Sequence, residues 1–184
     1  QIITTANPWV AGYDAATGGE RWRARVMKGD VAPSPALAEG AVYVANDQAC
    51  LARIAPDGRG DVTRTHVAWT SDEEGLPPIV SPLSDGRRLW TFNENGTMFC
   101  FAAADGKKVY EHDFEAGVHA SPLKIGDEVW VLALDGTLFV VADGPEAKIL
   151  RQNALGEATE ASPALANGRV YIRGAKNLYC IGTK

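Results

Sequence analysis

Apolar and polar positions alternate in short runs along this chain, and no stretch sustains the 3.6-residue period of a helix. The clearest region runs from Val118 to Val141, VHASPLKIGDEVWVLALDGTLFVV. Val129 to Leu134 is apolar without alternation, the mark of a strand covered on both faces. Gly126-Asp127 before it and Asp135-Gly136 after it are tight-turn signals, the second suited to a hairpin whose central residues have positive φ. Leu138 to Val141 returns as the next strand, and Ala147 to Leu150 reads as a fourth. Leu155 to Ala161 is too short for a helix and holds Gly156.

The unit repeats. Ser-Pro recurs at Ser34-Pro35, Ser81-Pro82, Ser121-Pro122 and Ser162-Pro163, each pair opening a first strand. The interval is about 40 residues, with one longer gap, which is the period of a four-stranded propeller blade. Tyr43, Trp90, Trp130 and Tyr171 each lie nine residues past their serine, inside AVYVAN, RLWTFN, EVWVLA and RVYIRG. The spacing predicts an all-β fold, a partial β-propeller of four-stranded antiparallel blades. The expected blades are 1–30 (partial), 31–78, 79–116, 117–158 and 159–184 (partial), in one region spanning 1–184.

Composition narrows the function classes. The 184 residues form one array, and 46% apolar residues suffice for a packed core. A net charge of −5 argues against a nucleic-acid partner. No apolar run approaches the roughly 18 residues of a membrane span. The chain starts at Gln1, not Met, and is expected to begin after processing or to be part of a longer protein. Aligning the blades on the hairpin turn puts Gly12, Ala52, Cys100, Val140 and Cys180 in one slot of the third strand, a place for a small residue. Cys50, Cys100 and Cys180 are expected to be free thiols, since no C-x-x-C or metal-ligand spacing occurs. Arg59-Gly60-Asp61 reads as a hairpin, Asp72-Glu73-Glu74 as a solvated loop, and Asn95-Gly96 as a type I′ turn.

Asp14 to Trp22, DAATGGERW, has the form D-x-x-T-G-x-x-x-W, with Asp14, Thr17 and Gly18 building the turn and Trp22 closing it. With the Ser-Pro openings, it resembles the repeat of pyrroloquinoline-quinone-type β-propellers along essentially the whole chain. A later copy keeps Gly106 and has Tyr110 in the tryptophan place. The resemblance implies that Trp22 and Tyr110 dock between neighbouring blades, in a propeller of seven or eight. It also implies that strands upstream of Gln1 complete the ring, so that the chain is a C-terminal half ending near Lys184. Missing N-terminal blades, or another chain, would then cover the open edges.

One branch of that family holds the quinone and Ca²⁺ and oxidises alcohols or sugars, usually beside a vicinal cysteine pair. The other is non-catalytic and includes the outer-membrane β-barrel assembly lipoprotein. No cysteines are adjacent here, and the motifs are degenerate, which favours a scaffold for protein partners in the periplasm or cell envelope, with no cofactor. The alternative is the C-terminal half of a quinone- and calcium-dependent dehydrogenase. His66 and His112 fall on outer segments and are expected to be exposed. His119 and Glu160 each stand two residues before a repeat serine, on adjacent blades, and form a candidate channel-mouth site for a cation or proton. The repeat serines themselves are expected to bond local backbone.

Overall fold

The computed structural model describes residues 1–72 and 74–182; Glu73 of the acidic triplet and the expected end at Lys184 lie outside them. The described residues form strands and turns only, arranged as five sheets in chain order, antiparallel but for one two-residue strand. The first sheet contains β1 (Ile2–Ala6), β2 (Trp9–Tyr13) and β3 (Glu20–Arg25). The second contains β4 (Ala36–Ala38), β5 (Ala41–Ala45) and β6 (Leu51–Ile54). A loop then carries the two-residue β7 (Gly60–Asp61) before the second sheet closes with β8 (Val67–Ser71). The third is built from β9 (Leu83–Ser84), β10 (Arg88–Phe92), β11 (Thr97–Ala102) and β12 (Lys108–Asp113). The fourth holds β13 (Leu123–Ile125), β14 (Glu128–Leu132), β15 (Thr137–Ala142) and β16 (Ile149–Ala154). The fifth holds β17 (Ala164–Ala166), β18 (Arg169–Arg173) and β19 (Leu178–Ile181).

Within each sheet the antiparallel strands follow chain order as a meander, and β7 adds to the edge of the first sheet. Arg59-Gly60-Asp61 does not close a hairpin. Its last two residues reach back to the first sheet and pair parallel with Trp22 and Arg23. The fourth sheet's last strand begins at Ile149, later than the expected Ala147, because Asp143 to Glu146 form a wider turn closed by the Ala142 amide on the Lys148 carbonyl.

Burial explains why the apolar runs lack alternation. β5, β10 and β15 are sandwiched between neighbouring sheets, and each seam has its own apolar cluster. Val10, Trp22 and Ala24 meet Val42, Val44 and Ile54 between sheets one and two. Tyr43 and Leu51 meet Leu89, Phe99 and Phe101 between two and three. Trp90, Phe92 and Met98 meet Val129, Val131 and Phe139 between three and four. Leu132 and Leu138 meet Val170 and Ile172 between four and five.

The primed turns are not where Asn-Gly and Asp-Gly suggested. Positive φ at two successive residues occurs at Glu39-Gly40 (47° and 70°) and Asn167-Gly168 (51° and 70°). At Asn93–Gly96 and Ala133–Gly136 only the glycine is left-handed, and its amide closes a four-residue turn on the carbonyl three before. A side chain at Gly96 or Gly136 would run into the Ala116 or Glu157 carbonyl of the following linker, so these glycines also let the linker pass close.

Candidate interaction site

Two side-chain systems hold the sheets in line. The first is a ladder of the repeat serines. The Ser34 amide donates to Ser81 Oγ (3.0 Å), the Ser81 amide to Ser121 Oγ (3.1 Å), and the Ser121 amide to Ser162 Oγ (2.8 Å). The hydroxyls therefore bond the preceding sheet and not their own local backbone. The prolines that follow fix the chain's entry into the innermost strands, which start two residues past each serine.

The second system is a row of residues that crosses each sheet and faces the next. It reads Ile3–Gly12–Trp22, Tyr43–Arg53–Trp69, Trp90–Cys100–Tyr110, Trp130–Val140–Arg151 and Tyr171–Cys180. Arg53, not Ala52, holds the third-strand place in the second sheet. The β5–β6 turn has no glycine to mark the register, which is why the sequence alignment slips there by one.

Trp22 is fully buried between the first two sheets, and its Nε1 donates to Gln1 Oε1 at 2.7 Å. Tyr110 is half-buried against the seam of sheets three and four, and its hydroxyl accepts from Trp90 Nε1 at 3.0 Å. Trp69 takes the same place in the second sheet and was not singled out in the sequence. Its Nε1 donates to the Ala103 carbonyl of the third sheet at 3.2 Å, and a Cβ on Gly106 would lie 2.8 Å from its ring. The glycine kept in the decayed motif copy is thus the seat for the tryptophan of the sheet before.

In the full motif copy, Asp14 Oδ1 accepts from the Thr17 amide and hydroxyl and from the Ala16 amide, while Gly18 takes φ of 72°. The Thr17 amide, then that of Ala16, holds the Asp14 carboxyl below its ordinary pKa.

His119 is half-buried and Glu160 exposed. No hydrogen bond or ion pair joins them, and among the described residues no group of three or more His, Cys, Asp or Glu side chains is placed to hold a metal. Glu160 instead helps line a cavity of about 330 Å³ with Ala158, Thr159, Arg173 and Gly174. His66 and His112 are half-buried, not exposed: His66 Nδ1 lies 2.8 Å from Thr65 Oγ1, and the His112 ring meets Phe114 edge-on. The positions before the serines, Ala32, Ile79, His119 and Glu160, offer one carboxylate and no aromatic, a poor fit to a planar polyanionic quinone with a hard cation.

An ionic cluster at the seam of sheets three and four was not legible from spacing. Asp143, with 1% of its side chain exposed, accepts from Arg88 and from Lys124 Nζ at 2.8 Å, and Arg87 lies 3.3 Å away. Burial opposes the charge on Asp143, but Lys124, then Asp85 and Arg88, outweigh it and hold the carboxyl below its usual range. The three cysteines are free thiols. Cys100 is buried, whereas Cys180 is exposed and does not serve as a core hydrophobe.

The two end sheets each present an uncovered face. On the first, Trp9 carries the guanidinium of Arg23 at 4.7 Å and that of Arg25 at 5.9 Å over its ring. Trp9 and Arg25 line a cavity of about 400 Å³ with Asp61, Thr63 and Arg64. On the fifth, Leu178 is 70% exposed beside Tyr171 and Cys180.

Sandwiched meanders, a serine ladder and a docking tryptophan define a segment of a β-propeller built from pyrroloquinoline-quinone-type repeats. The model of the family described as outer membrane protein assembly factor BamB matches residues 1–75 and 60–177, and the chain belongs to that family. No curated protein matches the sequence. Among solved structures, BamB from Moraxella catarrhalis aligns with TM-score 0.76 at 15% identity, over 98% of this chain and 54% of that one. The computationally designed Ika8 protein aligns with TM-score 0.69 at 13% identity, over 97% of this chain and 57% of its own. The designed Ika4 protein aligns with TM-score 0.67 at 13% identity, over 90% of this chain and 100% of its own. The chain thus spans about half the length of the BamB structure it matches, and at these identities the likeness concerns the fold.

Proposed function

We propose that this chain is a non-enzymatic scaffold that binds protein partners in the periplasm or cell envelope through its uncovered sheet faces and edges. The observation that carries this reading is the contrast between covered and uncovered faces. Every interior seam is closed by an apolar cluster, whereas the outer face of the first sheet carries exposed Ile2 and half-buried Trp9 under Arg23 and Arg25, and that of the fifth carries exposed Leu178. Aromatic and arginine side chains on an uncovered face are the composition of a protein-binding surface. Membership of the BamB family supports a role beside outer-membrane assembly, and no helix of the described residues is long and apolar enough to cross a membrane.

The test is photo-crosslinking in cells from Trp9 or Leu178, with exposed Lys107 as the control position. Discrete protein adducts from the first two, absent from the third, support the scaffold. Micromolar binding of pyrroloquinoline quinone with millimolar Ca²⁺, lost in Glu160→Ala and accompanied by alcohol- or sugar-dependent dye reduction, would replace it with the dehydrogenase.

A further inference from the structure

Asn-Gly occurs twice in the chain, at Asn95-Gly96 and Asn167-Gly168. In this dipeptide the glycine amide nitrogen can close on the asparagine side-chain carbonyl carbon, because no side chain on the glycine stands in the way. Closure needs an amide that is not held in a hydrogen bond, and room for a five-membered ring. The fold treats the two copies oppositely.

Asn95-Gly96 lies in the turn between β10 and β11. The Gly96 amide donates to the Asn93 carbonyl at 3.2 Å, and Gly96 is buried. The Ala116 carbonyl of the following linker already fills the space beside its Cα. Asn167-Gly168 lies in the turn between β17 and β18, which the pair Ala166 and Arg169 closes. Both its residues are left-handed, with φ of 51° and 70°, and asparagine is one of the few non-glycine residues that tolerate this. The turn thus favours the residue type that reacts. Both residues are exposed. Among the described residues, neither the Gly168 amide nor the Asn167 side chain has a hydrogen-bond partner. Apart from its chain neighbours, no heavy atom lies within 4 Å of where a Gly168 Cβ would sit. This openness does not come from the end of the chain. The corresponding turns of sheets two and four, Glu39-Gly40 and Gly126-Asp127, are equally exposed with a sheet packed on either side.

We propose that Asn167 is a site of spontaneous deamidation and isomerisation, and that the fold protects Asn95. The Gly168 amide nitrogen gives up its proton and bonds to Asn167 Cγ. The bond from Cγ to the side-chain nitrogen breaks, and ammonia leaves with that proton. Water then opens the resulting succinimide at one carbonyl or the other, giving aspartate or isoaspartate. Water is the one co-reactant, and no redox step occurs. Either product places a new carboxylate on an exposed turn of the fifth sheet. The isoaspartyl form also lengthens the main chain by one methylene. The modification is independent of the scaffold reading.

The test is incubation of the folded chain in mildly alkaline buffer, with peptide mapping by mass spectrometry at intervals. Asn167 should convert about tenfold faster than Asn95 or more, since Asn95 reacts only through local opening of its turn. In denaturant the two should convert at similar rates, because both are then free Asn-Gly pairs. The Asn167 product should include isoaspartate, read by methyl transfer from an isoaspartyl-specific methyltransferase. Equal rates in the folded chain overturn the proposal, as does faster conversion of Asn95. So does an Asn167 that stays intact in the folded chain while the denatured chain converts. Aspartate without isoaspartate would mean direct hydrolysis of the side chain and overturn the ring route.

Discussion

Cys100 and Cys180 occupy the same place in the third and fifth sheets, opposite Trp90 and Tyr171. Cys100 is buried by the fourth sheet, and desolvation pushes its thiol up to about 12. Cys180 has no sheet over it, and the Arg169 guanidinium, 3.7 Å away, draws its pKa below the ordinary value. One position in the repeat thus holds a buried thiol in the third sheet and an exposed one in the fifth. The difference is whether the next sheet is present, so coverage, not sequence motif, decides which residues of this fold pack and which are free to bind.

The largest expected effect concerns a covered aromatic against an uncovered one. Trp22→Ala should cost about 3–5 kcal/mol, the usual loss for truncating a core aromatic. Tyr171→Ala should cost about 1 kcal/mol or less, since it removes contacts from one side only. Denaturant unfolding of both variants checks this, and equal losses would break the comparison.

Next comes the ionic cluster. Asp143→Ala removes the carboxylate shared by Arg88 and Lys124, leaves Lys124 only the more distant Asp85 at 3.9 Å, and should cost about 3 kcal/mol, whereas loss of the solvated pair of Lys107 with Asp105 should leave stability nearly unchanged. Because the folded-state pKa of Asp143 is depressed, its contribution is complete above the unfolded value near 3.8 and is lost as pH falls through the folded value. Unfolding midpoints for Asp143→Asn should therefore converge on those of the unmodified protein as pH falls through the depressed folded value, and diverge above it.

The serines give a smaller contrast. Ser121→Ala strands the Ser81 amide and should cost about 1–2 kcal/mol, while Ser34→Ala removes a hydroxyl that accepts nothing from the ladder and should cost under about 0.5 kcal/mol. Melting the two variants side by side would show whether the ladder carries the load assigned to it.

Much of this was legible in the sequence because repetition makes position informative. The nine-residue step from each serine to its aromatic placed β5, β10, β14 and β18 within a residue or two. What local spacing could not show were partners set by stacking. The serine hydroxyls reach another sheet 40 to 47 residues away, a contact with no local signature. Trp69 was hidden because its motif copy, Asp61 to Trp69, has Thr65 in the glycine place, although Asp61 stands eight residues before it and caps the turn through Thr63 much as Asp14 does before Trp22. Asp143 looked like a turn residue, and only the juxtaposition of β9, β10 and β13 beside it makes it the centre of a cluster. His119 and Glu160 share a register position, yet no hydrogen bond or ion pair joins them, because equal register on neighbouring sheets does not by itself bring side chains into contact.

Thiol reactivity tests the role of coverage most directly. At pH 7.5, without denaturant, Cys180 should react with an alkylating reagent at least 100-fold faster than Cys100, which should react only on unfolding. Arg169→Gln should slow Cys180 toward an ordinary exposed thiol. Comparable rates for the two cysteines in the folded chain would contradict the account, because they would mean that the fifth sheet is covered as fully as the third.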